Sequence, residues 1–184
     1  MRRRVASGLL LAAVTIGASG CGYALSGHGV TVDPSIKRIG VPTFKDRTHK
    51  AGLDTRITQE VTEELLKRGH FDVVPESTGV DAIVDVELLS YVVQAAGFTG
   101  GLGTGTAGAG SAEISRYTIT VTAKVRYSKV GAAEPIWANE SFVFREDYDL
   151  GSDPSSLFDR ENQAVERLSQ AFARSLVAAM LEAF

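Results

Sequence analysis

Gly103, Gly105 and Gly108 stand at the G-x-G-x-x-G spacing that cradles a dinucleotide pyrophosphate in many oxidoreductases. That chemistry needs a strand before the first glycine, a helix opening at the last, and an acidic residue about 20 positions on. Here the run GFTGGLGTGTAGAGSAE (97–113) leads through Gly110 and Ser111 into a segment of period two, and Glu134 falls in a turn beyond it. No helix amino terminus is available to face a phosphate, so no cofactor is implied. With seven glycines from Gly97 to Gly110 and no charge among them, the run reads as a long flexible connection between antiparallel strands. Its large apolar groups, Phe98 and Leu102, suit insertion into a protein lumen or an acyl region, and a bare hairpin tip fits the composition as well.

Other reactive side chains are sparse. His28, His49 and His70 fall on a tether, a loop and a helix exit, with no metal-ligand spacing to one another or to Cys21. No G-x-S-x-G elbow occurs, and although carboxylates are plentiful, most sit on faces that read as solvated. One local basic feature remains: Arg116, Lys124 and Arg126, with Lys129 just beyond, share a strand parity with Thr118, Thr120 and Thr122. Such a row is either a solvated strand face or a set of donors for lipid phosphates, Arg binding in a bidentate manner and Lys as a point charge.

Cys21 is the only cysteine, so it cannot close an internal disulfide. It follows MRRRVASGLLLAAVTIGASG, in which three arginines precede a short apolar core and then small residues, the layout of a secretory signal. The core is too short for a membrane span, which takes about 20 apolar residues. Ala18-Ser19-Gly20-Cys21 resembles a bacterial lipobox, with Ala18 where Leu is commonest, and the expected product is an acylated Cys21 at a new amino terminus. A single acyl chain holds reversibly, and two or three anchor firmly. Residues 1–20 are thus expected to be a lipoprotein signal, 21–35 a lipidated tether, and 36–184 one domain. Removing the signal takes three arginines and no acid, moving the formal charge from −3 to −6, an acidic balance unlike that of a general nucleic-acid binder.

The elements follow from periodicity. IKRIGVPTF (36–44) reads as a strand interrupted by Pro42. Leu53, Ile57, Val61 and Leu65 recur every four residues and predict a helix, with Lys67 and Arg68 in its last turn and Gly69 as its cap. FDVVP is a possible short strand. Residues 80–94 alternate Ala82, Val84, Val86 and Leu88 against Asp81, Asp85 and Glu87, and in the next strand Tyr117, Ile119, Val121, Ala123, Val125 and Tyr127 share one parity. A further strand over 136–148 precedes a long C-terminal helix opened by Asp153-Pro154 and striped by Val165, Leu168, Phe172, Leu176 and Ala179. The expected class is α+β: two amphipathic helices on one face of a mixed, mostly antiparallel sheet of about four strands.

CGY at 21–23, IGVPTFKDRT at 39–48, GLD at 52–54, VDAIVDVELLSY at 80–91 and IW at 136–137 together resemble the LptE family of lipopolysaccharide-assembly lipoproteins, with Asp46 where the family often has Asn. The resemblance implies a non-enzymatic lipoprotein on the inner leaflet of the outer membrane. It would plug and help assemble the LptD β-barrel and bind lipopolysaccharide on its way to the cell surface. Family contact residues are basic positions near strand ends; Arg116, Lys124 and Arg126 are placed here by strand parity alone. Two other classes remain open at the level of sequence: a lipoprotein activator of a peptidoglycan synthase, and an envelope hydrolase with a carboxylate pair.

Overall fold

The computed structural model describes residues 33–68, 71–99, 113–150 and 154–182. The expected signal, Cys21 and the tether up to residue 32, His28, the Gly69 cap, His70, the centre of the glycine run and Asp153 lie outside the described residues. In chain order the elements are β1 (Arg38–Gly40), β2 (Lys45–Asp46), α1 (Leu53–Arg68), β3 (Asp72–Val74), β4 (Ala82–Thr99), β5 (Glu113–Lys129), β6 (Trp137–Asp149), a 3-10 turn (Pro154–Ser156) and α2 (Leu157–Leu181). Among the described residues no helix is long and apolar enough to cross a membrane.

The α+β class with two helices over one sheet is present, but the sheet has six strands, not about four, in the order β3-β1-β4-β5-β6 with β2 also beside β4. β1 lies parallel to both β3 and β4, and β2 parallel to β4; the antiparallel pairings are the two long ones, β4–β5 and β5–β6. The discrepancy has a local origin. Pro42 has no N–H for a ladder, so of the expected strand 36–44 only β1 forms, and the chain pairs again as the two-residue β2 just after it, each too short to show a period. A close approach adds to this, because a Cβ on Gly40 would run into the backbone carbonyl of Glu76.

Burial follows the alternation. Ala82, Val84, Val86 and Leu88 of β4, and Ile119 through Tyr127 of β5 at every second residue, are buried in one cluster with the four-residue stripe of α1. Val165, Leu168, Phe172 and Leu176 of α2 are buried too, and the stripe continues through Ala173, Val177 and Met180, leaving Ala179 at its margin. Pro154 is the first helical residue, opening a 3-10 turn that leads into α2, and Ser156 makes no side-chain cap bond.

Two bulges reset the parity. In β4, Leu88 faces Ala123 but Ser90 faces Thr122, so Leu89 is the extra residue and the inward side chains become Tyr91 and Val93. In β6, Asn139 faces Val125 and Phe142 faces Ala123, placing Glu140 and Ser141 opposite Lys124 alone. That shift brings Trp137, Phe142 and Phe144 to the same inner face, where Phe172 packs edge-on against Phe142 at 5.2 Å and Phe144 at 5.4 Å between ring centres.

The 17 residues of β5 span about 56 Å at 3.3 Å each, whereas the 25 residues of α2 span about 37 Å. The β4–β5 hairpin is therefore longer than the helical layer. At its near end the entering chain is fastened: Lys129 Nζ donates to Asp33 at 2.9 Å and to the Ser35 hydroxyl at 2.7 Å, and Asp81 accepts the N–H groups of Lys37 and Arg38, both at 2.9 Å. At its far end Ala95, Ala96 and Phe98 are exposed.

Candidate functional site

The outer face of the sheet, opposite the helices, carries the basic row. Arg126 of β5 stands beside Asp85 of β4, and Lys124 beside Glu87. β2 runs along the other side of β4, with Lys45 in register with Glu87. Lys45, Asp85, Val86, Glu87, Lys124 and Arg126 line a shallow depression of about 210 Å³. Three ion pairs surround it: Lys45 with Asp85 at 3.9 Å, Arg47 with Glu87, and Lys124 with Glu140 at 2.6 Å. Arg126 is exposed and has no ion-pair partner among the described residues.

Arg116 lies on the same face but eight residues along β5, about 26 Å from Lys124. Its guanidinium bonds Asp149 at 2.7 Å, an interaction that pushes its pKa above the ordinary arginine value. Lys124 and Arg126 are therefore brought together, whereas Arg116 belongs to the far half of the sheet. Lys129 is turned to the entering chain instead. Between the two ends the threonines stand in register with uncharged residues of β4 and, toward the far end, charged residues of β6: Thr122 between Ser90 and Val143, Thr120 between Val92 and Arg145, and Thr118 between Gln94 and Asp147. Thr118 donates to the Asp147 carboxylate at 2.6 Å.

Reading the sequence missed Lys45, Arg47 and Glu140 as neighbours of the basic pair. Lys45 and Arg47 reach it only through the parallel pairing of β2 with β4, and Glu140 only through the β6 bulge, neither of which leaves a local signal. The quoted segment 39–48 does explain itself locally. Asp46 accepts the N–H of Thr48 at 2.6 Å, and Thr48 accepts the N–H of Lys50 at 3.2 Å, forming successive side-chain turns. An Asn at position 46 would offer the same side-chain acceptor.

A second polar cluster ties the layers together. Glu161 accepts from Lys50 at 2.6 Å and from the Tyr91 hydroxyl at 2.7 Å, while the Lys50 ammonium sits 5.2 Å from the Tyr91 ring centre. Burial pushes Glu161 upward, but the two donors win and hold it below the ordinary carboxylate value. Burial, followed by the Glu161 charge, pushes Tyr91 far above the ordinary phenol range. Carboxylate and phenol thus keep fixed protonation states near neutrality, which suits a structural tie rather than proton transfer. His49, at φ 62, stands in the β2–α1 loop. Among the described residues no three His, Cys, Asp or Glu side chains are grouped to hold a metal.

Residues 36–180 match the family model described as LptE, lipopolysaccharide-assembly. No curated protein matches the sequence. Among solved structures, a DUF330 protein of Xanthomonas campestris is similar at a TM-score of 0.53 and 12% identity, over 80% of this chain and 85% of that one. A minor lipoprotein of Acinetobacter baumannii is similar at a TM-score of 0.46 and 10% identity, over 78% of this chain and 94% of that one. At such identity the Xanthomonas likeness concerns the fold alone.

Proposed function

The chain belongs to the LptE family of lipopolysaccharide-assembly proteins, and from that premise we propose that it is acylated at Cys21, sits on the periplasmic face of the outer membrane, and plugs an LptD-type β-barrel while binding lipopolysaccharide in transit. The family match over residues 36–180 carries this reading. The shape of the domain supports it. An outer sheet face rich in Thr, Ser and Val, with Val92 and Val143 about 40% exposed, offers a large pleated surface to a barrel wall.

Lipid phosphates are assigned to Arg126 and Lys124, with Arg116 as a separate contact at the far end. Exposed ion pairs contribute about 0–1 kcal/mol, so an incoming phosphate displaces Glu140 from Lys124 at small cost, and Arg126 gives up no ion pair. Contact is non-covalent, and the acidic remainder of the domain confines it to these points.

Charge reversal of Lys124 and Arg126 to Glu in the full-length protein is expected to weaken lipopolysaccharide binding at least tenfold, while Arg116→Glu has a separate and smaller effect. Unchanged binding in the double variant removes the site. Cross-linking in cells from position 92 tests the partner, with a barrel adduct expected; adducts exclusively to a peptidoglycan synthase overturn the assignment.

A further inference from the structure

β6 ends the sheet, and an open strand edge invites pairing with another chain. The opposite edge is β3, three residues long. In the first half of β6 the bulge at Glu140 and Ser141 breaks the ladder, leaving 143–149 as the continuous edge. Leu150 donates its N–H to Ser115 at 2.8 Å, so in the alternating antiparallel pattern Asp147 and Asp149 sit in the pairs that do not bond to β5. Their backbone groups point to the open side. Both carbonyls there are occupied from α2: Arg160 Nη1 donates to the Asp149 carbonyl and Arg167 Nη2 to the Asp147 carbonyl, each at 3.3 Å. The arginines are themselves held, Arg160 by the Ser156 hydroxyl at 3.0 Å and Arg167 by Glu146 at 2.6 Å.

We infer that Arg160 and Arg167 are edge guards: of the outward carbonyls on residues 143–149 they cover those of Asp147 and Asp149, and so oppose antiparallel β6–β6 pairing between two copies of this chain. The sequence of the covered edge selects that partner and one register. Centred on Glu146, the pairing sets Arg145 against the second copy's Asp147 and Val143 against its Asp149. One step to either side sets Arg145 against Arg145, or Asp147 against Asp147; like charges directly opposite are destabilising, and with Glu146 neutralised the register centred on it is the one of the three without such a pair. In the favoured register Glu146 meets its own copy across the two-fold axis, so its present bond to Arg167 matters to any test.

Full-length protein carrying Arg160→Met, Arg167→Met and Glu146→Gln, in detergent with micelles in excess, is expected to self-associate at least tenfold more tightly than Glu146→Gln alone, read by sedimentation and by co-capture of two differently tagged copies. Adding Arg145→Asp is expected to reverse the association. A triple variant that sediments like the Glu146→Gln control overturns the inference, as does an association insensitive to Arg145→Asp. Should circular dichroism show the triple variant unfolded, Arg160→Met alone frees one carbonyl and is expected to raise self-association severalfold; no change there is equally decisive against it.

Discussion

The near and far halves of the β4–β5–β6 sheet are made of the same three strands and differ in almost everything attached to them. Near the chain entry, the inner face packs on both helices and the outer face is laced by Lys45–Asp85, Arg47–Glu87 and Lys124–Glu140. Beyond the β4 bulge the outer face mixes Ser, Thr and Val with Arg145, Asp147 and the Arg116–Asp149 pair, and the hairpin continues past the helical layer to an exposed Phe98. Continuous ladder bonds do not by themselves make a sheet uniformly stable. Stability concentrates where apolar side chains from a second layer cover it, and that cover runs out toward Phe98.

The sharpest way to break this contrast is to empty the near core. Phe172→Ala removes a fully buried ring from between Phe142 and Phe144 and is expected to cost about 3–5 kcal/mol by urea unfolding. Val92→Thr in the far half is expected to stay within about 0.5 kcal/mol. Equal costs would show that the two halves are one energetic unit.

A smaller loss, about 1–3 kcal/mol, is expected for Gly40→Ala, because the new methyl meets a backbone carbonyl that cannot rotate away. Calorimetry showing an unchanged melting temperature would mean that the β3–β4 connection yields at Glu76.

The smallest effect concerns pH. Backbone N–H bonds from Arg38 and Lys37 hold Asp81 below its ordinary value, and bonds from Ser35 and Lys129 hold Asp33 lower still. A depressed carboxylate stabilises the fold above its unfolded pKa, about 3.9, and loses that contribution as pH falls through the folded value. Asp81→Asn is therefore expected to flatten the acid side of the stability profile below about pH 4 and to leave the far half's hydrogen exchange unchanged.

Much of this organisation was legible in the residues. Leu53, Ile57, Val61 and Leu65 declare α1 because a period near 3.6 needs no tertiary information. Tyr117 through Tyr127 declare the buried face of β5 in the same way. What stayed hidden was non-local: the two-residue β2, which has too few positions to show a period, the parallel pairing of β1, β2 and β3, and bulges that reset parity without a compositional mark. The same blindness shaped the site. Arg116, Lys124 and Arg126 do share a face, but strand length separates the first from the others, and the carboxylates beside the pair come from β4 and from the β6 bulge. Arg160 and Arg167 read as ordinary solvated helix residues until the β6 edge is seen beside them.

The place of β1 has a mechanical consequence. Its neighbours β3 and β4 both run parallel to it, and Lys129 and Asp81 grip the residues just before it. The Asp33–Ile36 turn stands between residue 33 and β1, so tension applied there meets the Lys129 clasp first and then the bonds on both sides of β1. Peeling β1 away means breaking two ladders at once, where an outermost strand such as β6 gives up one.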